Sequence, residues 1–381
     1  MRIGIFGGSF DPIHCEHKNF IREAMESLQL DKLFVVPAHA PPHKPDRRLS
    51  PDADRLEMCK LALADVENVE VSDYEMRQGG MSYTYLTCAH FRKKYPSAEL
   101  FFLVGTDMLR DFPSWKYPEI ILENVTLAVC GRTDKEGWWR EEQRGFIAKF
   151  NKEFVRVDYN GADVSSTRIR VAVGAGMRSH TFLDEKVAQY IEEKSLYAIP
   201  YAKEALALEK PERQAHSIRV AYLATKRAQS LRIPEQKAIT AGLFHDCGKN
   251  LSPDHPYLEG FILPKEWGEV PPSVWHQFAG AYVAEHTFNV TDPDVLNAIR
   301  YHTSGREGMS DLEKLIFLSD MLEEERSYEG VEKLRALFWK REGLDECLKT
   351  ALYETILFLK SKQAEIYPLT QKAYEYIKKE V

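Results

Sequence analysis

Up to about residue 195, the apolar positions of this chain fall into short unbroken runs at 3–6, 33–36, 69–71, 100–104, 125–129 and 154–157. Runs of this length, rich in β-branched and aromatic residues and not alternating with polar ones, predict strands buried on both faces. Between them the spacing changes. Phe20, Ile21, Ala24, Met25 and Leu28 recur at helix-face intervals, and Ser50-Pro51 supplies an N-cap and a first-turn proline for a second helix. Strands alternating with helices predict an α/β doubly wound parallel sheet. Ligands of such sheets sit beyond the carboxyl ends of the strands.

After Ser195-Leu196-Tyr197-Ala198-Ile199-Pro200 the strand pattern stops. Helical periodicity then predicts helices over 211–231, 234–247, 273–287, 292–302, 310–322, 329–339, 344–362 and 366–380, punctuated by turn clusters such as Ser252-Pro253-Asp254, Pro271-Pro272 and Ser304-Gly305. The expected organisation is therefore an α/β domain over 1–197 and an all-α domain over 203–381. A length of 381 residues fits about two domains.

Composition narrows the partners. With 44% hydrophobic and 29% charged residues the chain has ample material for two cores. The formal net charge of -7 argues against a broad basic footprint, so no nucleic-acid partner is expected. Six cysteines are scattered without a C-x-x-C pair, which fits a reducing cytoplasm and excludes a cysteine-only zinc site. Asp11, His14 and His17 interrupt the N-terminal apolar run before it reaches signal length, and no window approaches the ~18 apolar residues of a membrane span. Neither a membrane nor a secretory destination is expected, and a homo-oligomer is left open.

The first candidate chemistry lies where the first strand ends, in Gly7-Gly8-Ser9-Phe10-Asp11-Pro12-Ile13-His14-Cys15-Glu16-His17. Glycines let backbone N–H groups approach a phosphate, and two imidazoles beside a helix start can stabilise charge building on phosphate oxygens. No protein nucleophile is needed if one substrate phosphate attacks another. The string G-G-S-F-D-P-I-H-x-x-H resembles the signature of the nucleotidyltransferase superfamily, and in detail bacterial nicotinate-nucleotide adenylyltransferases. Pro41-Pro42-His43-Lys44, Ser82-Tyr83-Thr84, Gly105-Thr106-Asp107 followed by Trp115-Lys116, and Val164-Ser165-Ser166-Thr167-Arg168-Ile169-Arg170 follow in that family's order. The resemblance implies that His14 and His17 bind the triphosphate of ATP, and that Lys44, Ser166, Thr167 and Arg170 hold phosphates. It implies that Asp107 contacts the ATP ribose region, that Thr84 and Trp115 line a nicotinate pocket, and that Mg²⁺ accompanies the nucleotide. Taken singly, Trp115 reads as core, Lys44 as a solvated loop charge and Ser165-Ser166 as a helix cap. Two positions depart from the pattern: Glu16 replaces the glycine of H-x-G-H, and Leu86 replaces an aspartate two residues after Thr84. A rival reading makes this half a degenerate nucleotide sensor that regulates a metal-dependent phosphohydrolase in the second half, acting on another nucleotide phosphoester.

The second candidate site is a set of histidines and aspartates in helical, partly apolar settings: His216, His245-Asp246, His276, His302 and Asp320. Buried imidazoles and carboxylates need partners, and mixed nitrogen and oxygen ligands suit a transition metal. The ordered stretches Ala215-His216-Ser217-Ile218-Arg219-Val220, His245-Asp246-Cys247-Gly248-Lys249, Trp275-His276, Arg300-Tyr301-His302-Thr303 and Asp320 with Glu323 and Arg326 resemble the HD phosphohydrolase superfamily, and within it the YqeK-like proteins that hydrolyse diadenosine tetraphosphate. The resemblance implies one metal on His216, His245, Asp246 and Asp320. A second would lie on His276 and His302 with Asp246 bridging, the ions being iron or alternatively manganese or zinc. Lys249, Arg300 and Arg326 become candidates for phosphate contact. Together the two halves point to a bifunctional enzyme acting on ATP, nicotinate mononucleotide and diadenosine tetraphosphate.

Overall fold

A computed structural model describes residues 1–42, 49–131, 136–178, 181–265 and 268–380. Its contacts divide the described chain into two units, one of residues 1–42, 49–169 and 181–196, the other of residues 170–178 and 197–380. The expected boundary near 200 thus meets one exception in the nine residues 170–178, which belong with the second unit.

The first unit is built on six parallel strands: β1 (Arg2–Gly8), β2 (Lys32–Pro37), β3 (Val69–Val71), β4 (Glu99–Gly105), β5 (Thr126–Gly131) and β6 (Val155–Asp158), in the spatial order β3-β2-β1-β4-β5-β6. Both faces of the central strands are covered, as unbroken apolar runs require: Ile3, Ile5, Leu33, Val35, Val36 and Leu127 have no exposed area. The chain moves outward from β1 to β3 and then restarts at β4 on the other side of β1. The connections therefore part company between β1 and β4, which is where such sheets open a ligand crevice. The glycine turn after β1 and Gly105-Thr106-Asp107 after β4 both lie at that end. Helices beyond the two anticipated cover the sheet, among them Thr84–Lys94, Pro118–Asn124 and Glu136–Phe150.

In the second unit the helical pattern is realised as Pro211–Ala228, Glu235–Phe244, Pro272–His286, Pro293–Arg300, Asp311–Leu322, Val331–Phe338, Leu344–Ser361 and Pro368–Glu380. Their starts carry the expected chemistry. Pro211, Pro272 and Pro293 open helices with their fixed φ. Asp292 caps the N–H groups of Asp294 and Val295, and Ser310 forms a capping box with Glu313. One large apolar cluster joins these helices and includes Val171 and Ala175 from the 170–178 segment. Three helices end two or three residues earlier than periodicity suggests. Helix 211–228 passes into a 3₁₀ turn at 229–231, and the two helices ending at Phe244 and Arg300 stop just before His245 and His302. Those two early stops matter for the site. Among the described residues no helix is long and apolar enough to cross a membrane.

Candidate functional site

The G-G-S-F-D-P-I-H stretch leaves β1 at Gly8, and His14 is the N-cap of the helix Cys15–Ser27. Its backbone N–H donates to Nδ1 of His17 at 3.2 Å, and the two imidazoles stack with ring centres 3.7 Å apart. Burial lowers the His14 pKa to about 4, opposed by the nearby Glu16 charge. Burial and then His14 itself take His17 well below the usual histidine range. Both rings are thus neutral at pH 7. The Nδ1 of His14 is buried without a hydrogen-bond partner among the described residues, so it can accept a donor or bind an added charge.

Other expected residues converge on the same turn. The hydroxyl of Ser166, at the start of the helix Ser166–Gly174, donates to the Pro12 carbonyl at 2.9 Å. Thr167 follows it in that first helical turn. Asp11, only 2% exposed, accepts from the Ser50 N–H at 3.4 Å, and Phe10 is buried beside Phe6 and His17. Gly105 ends β4 and Asp107 follows it, where the Asp107 carboxylate folds back over Gly105 and lines a 430 Å³ cavity with Gly131 and Tyr159. Thr84 and Trp115 line a different cavity of 190 Å³ with Tyr83 and Lys116. Trp115 is 7% exposed and also packs on Phe102 and Phe112, so its core reading and its pocket reading both hold. Lys44 lies outside the described residues. Arg170 groups with the second unit and is buried, with Nε 2.5 Å and Nη2 2.9 Å from the two carboxylate oxygens of Glu235.

One residue that sequence reasoning passed over holds this turn in place. Arg55, fully buried, donates from Nη1 to the Ser9 carbonyl at 2.9 Å and from Nε to the Ser50 carbonyl at 3.0 Å, while Asp52 pairs with Nη2. An arginine on the inner face of the helix Asp52–Leu63 was the only signal available.

In the second unit, all six expected metal ligands come together. His216, His245 and Asp246 present ligand atoms within 4.8 Å of one another, as do His245, His302 and Asp320, and Asp246, His276 and His302. Asp246 stands between the sets, its Oδ1 at 3.3 Å from His276 Nε2 and 3.4 Å from His302 Nε2, its Oδ2 at 3.6 Å from His245 Nε2. Local structure aims the rings. His245 and His302 each lie just past a helix end, and each bonds through Nδ1 to a carbonyl three residues back, Gly242 at 2.8 Å and Ile299 at 2.7 Å. Those carbonyls fix the tautomer with Nδ1–H donating, so Nε2 points its lone pair into the centre. His216 is aimed likewise by Glu323, 3.1 Å from Nδ1, while its Nε2 meets Asp320 at 2.8 Å. Gly248 lets the elements close up, because a Cβ there would sit 2.5 Å from the His276 carbonyl.

The electrostatics suit a cation. Burial lowers His245 and His276 to about 4. For Asp246 and Asp320 burial is outweighed by the surrounding imidazoles, His245 and His216 first, and both remain ionised well below the usual range. Nε2 of His245 and Oδ1 of Asp246 are buried without a hydrogen bond among the described residues. Such orphaned atoms are costly unless something binds them. A nitrogen and carboxylate set of this kind fits transition-metal ions.

Around this centre are further cations. Arg213 donates to Asp246 Oδ2 at 2.9 Å, Lys249 lies 2.9 Å from His276 Nε2, and Arg326 donates to Asp320 Oδ1 at 2.7 Å. Arg300 instead donates to Asn297 at 2.8 Å and lies 3.9 Å from Glu285. Arg213 escaped the sequence reading, and Arg219, which holds Glu323 at 2.6 Å, stood there within a motif but without a role. The signal existed: Arg213, His216 and Arg219 recur every three residues along one helix face. Gln277, fully buried, ties its helix to the segment after His302 by accepting from the N–H groups of Thr303 and Ser304, both at 3.0 Å, and donating to the Ser304 hydroxyl at 2.8 Å.

Comparison with known proteins agrees with this division. A cytidylyltransferase-like family model matches residues 5–172 and an HD domain model matches residues 213–327. The probable nicotinate-nucleotide adenylyltransferase/Ap4A hydrolase of Mycoplasma pneumoniae is 31% identical over 329 residues, spanning 85% of this chain and 89% of that relative. Its counterpart in Mycoplasma genitalium is 29% identical over 330 residues, with 86% and 89% covered. A probable nicotinate-nucleotide adenylyltransferase of Clostridium tetani is 36% identical over 197 residues, 51% of this chain and 97% of its own. Among solved structures, a predicted HD superfamily hydrolase involved in NAD metabolism from Clostridium acetobutylicum matches at 30% identity and a TM-score of 0.42, covering 47% of this chain and 96% of that one.

Proposed function

The chain belongs to the family of its Mycoplasma relatives, in which a nicotinate-nucleotide adenylyltransferase is joined to an HD-domain Ap4A hydrolase, and on that premise we propose that it performs both reactions. The first unit transfers AMP from ATP to nicotinate mononucleotide, giving the deamido dinucleotide precursor of NAD and pyrophosphate. A phosphate oxygen of the mononucleotide forms the new bond to the α-phosphorus of ATP, and the bond to the β-phosphate oxygen breaks. In this reading His14 and His17, both neutral when free, take up the charge of the triphosphate, and the first turn of the helix Ser166–Gly174 supplies N–H and hydroxyl donors through Ser166 and Thr167. Asp107 lies on the ATP side, and Thr84 with Trp115 accepts the nicotinate ring. Mg²⁺ bound with the nucleotide supplies charge neutralisation.

The second unit hydrolyses diadenosine tetraphosphate to two ADP. His216, His245, Asp246, His276, His302 and Asp320 would hold two metal ions, for which we favour iron over manganese or zinc. When bound, such ions supply Lewis acidity, acidifying water and drawing charge from phosphate oxygens. Lys249 and Arg326 stand at the edge of the centre and can meet phosphate oxygens that approach it. The assignment of domains 1–197 and 203–381 is part of this proposal, as is a cytoplasmic location, supported by six free thiols.

The observation that carries the double function is the convergence of those six ligands, because a transferase alone has no use for it. Of the two departures behind the sensor reading, Glu16 has its carboxylate engaged by Tyr159 and Ala162. The test is two assays on the full chain. With ATP, nicotinate mononucleotide and Mg²⁺ it should release pyrophosphate, and with Fe²⁺ or Mn²⁺ and diadenosine tetraphosphate it should release ADP as the sole nucleotide product. Failure of either assay removes that half of the proposal.

A further inference from the structure

Glu16 lies between His14 and His17, where a free carboxylate would oppose a triphosphate. Its side chain is held elsewhere. Oε2 accepts from the Tyr159 hydroxyl at 2.5 Å and from the Ala162 N–H at 2.8 Å, and Oε1 accepts from the Asn19 amide at 3.3 Å. The Glu16 backbone carbonyl also meets the Tyr159 hydroxyl at 3.3 Å. The segment that receives this carboxylate is shaped for it. A Cβ on Gly161 would lie 2.3 Å from Glu16 Oε2 and 2.6 Å from the Tyr159 ring, so no larger residue fits while Glu16 is in place. Tyr159 is fixed from two further sides: its N–H donates to the Gly131 carbonyl at 2.8 Å, and its ring meets Phe20 edge-on at 5.8 Å. Phe20 lies one turn beyond Glu16 on the same helix.

The same segment forms a wall. Tyr159, Gly161 and Ala162 line the 430 Å³ cavity with Asp107, Gly131 and Trp138, beyond the carboxyl ends of β4 and β5. We propose that Glu16 is a positioning residue of the transferase site, clamping residues 159–162 as one wall of the ATP cavity and thereby setting the affinity for ATP. This inference rests on the transferase reading given above. Glu16 touches the wall and leaves the reacting atoms to others, so its loss should weaken ATP binding while turnover at saturation is kept. A charged acceptor serving two donors contributes enough that losing it should cost about tenfold in affinity.

The experiment uses the full chain and two readouts: ATP binding by equilibrium dialysis without second substrate, and steady-state pyrophosphate release. Glu16→Gly should raise both Kd and KM for ATP about tenfold, with the change in KM exceeding any change in kcat. Glu16→Gln, which keeps an acceptor for Tyr159 and Ala162, should recover most of the affinity, and Gly161→Ala should reproduce the glycine variant. Hydrolysis of diadenosine tetraphosphate, measured on the same preparations, reports folding. An unchanged or tighter Kd in Glu16→Gly overturns the proposal, as does a fall in kcat at constant KM or a Glu16→Gln variant as weak as Glu16→Gly. A wild-type chain that binds ATP in dialysis yet releases no pyrophosphate refutes the transferase reading, while the Kd series still decides the role of Glu16. A wild-type chain that binds no ATP overturns both.

Discussion

Glu209 is a carboxyl group 4% exposed, one residue before the N-cap of the helix Pro211–Ala228, with the Ser217 hydroxyl 2.8 Å from its Oε2. Burial pushes its pKa up to about 9, against the opposing hydrogen bond from Ser217. The fold therefore favours the neutral acid, whereas the unfolded chain ionises near pH 4.5. Native Glu209 holds its proton over a range where the unfolded state has lost it, so this residue subtracts stability progressively as pH rises from about 4.5 to about 9. Glu209→Gln should remove that slope. Urea unfolding of the two proteins should coincide near pH 5 and favour the variant by roughly 1–3 kcal/mol near pH 8. Equal stabilities at both values would contradict the raised pKa. At the metal centre the argument concerns sharing. Asp246 lies in two of the three ligand groups, so Asp246→Asn should lower metal content by more than one ion's share and slow hydrolysis of diadenosine tetraphosphate at least about a hundredfold, with pyrophosphate release retained. Elemental analysis of the purified chain and the two assays check this together. These candidate ligands were legible from residue type and order together with the resemblance to HD phosphohydrolases. Arg55 was not, because an arginine that holds a loop looks, along the sequence, like any other surface cation, and the spacing of Arg213 and Arg219 about His216 gave them no role until the structure placed them.

At the scale of elements, the helices of the second unit were legible because their apolar faces, opening prolines and caps all agree, as at Asp292-Pro293 and Ser310 with Glu313. Their ends were less so. Periodicity runs on through His245 and His302, but at both places the chain leaves the helix and the side chain bonds back to it. The contact that sets the second of these ends is Gln277, which no periodic pattern marks. Gln277→Leu would keep the volume and strand the N–H groups of Thr303 and Ser304 in a buried setting. Two unsatisfied donors should cost about 2–4 kcal/mol and weaken metal retention at His276 and His302 more than at His216. Thermal unfolding with and without added metal measures the first, and loss of metal during dialysis against a chelator the second.

For the whole molecule, composition and alternation gave the two architectures and the parallel pairing, while the strand order comes from the structure alone. What they missed is the allegiance of residues 170–178. The serines and threonine of Val164-Ser165-Ser166-Thr167 remain with the sheet, yet Val171 and Ala175 are buried in the helical core and Arg170 pairs with Glu235. A fragment of residues 203–381 therefore lacks part of its own core. Loss of Val171, Ala175 and Ile199 removes contacts worth up to about 4 kcal/mol. That fragment should unfold several degrees below the second transition of the full chain, and one carrying 170–178 in trans as a peptide should recover part of the difference. Calorimetry of fragment and full chain settles the comparison.

The back-bonds of His245 and His302 carry a consequence for metal choice. Each ring is mounted on the last carbonyls of a helix, where the helix dipole already presents partial negative charge. The socket is thus set by backbone before any ion arrives, and filling or emptying it demands no refolding of the helices. An ion held there would exchange for another of similar ligand preference at little conformational cost, so supply as well as affinity would decide the occupant.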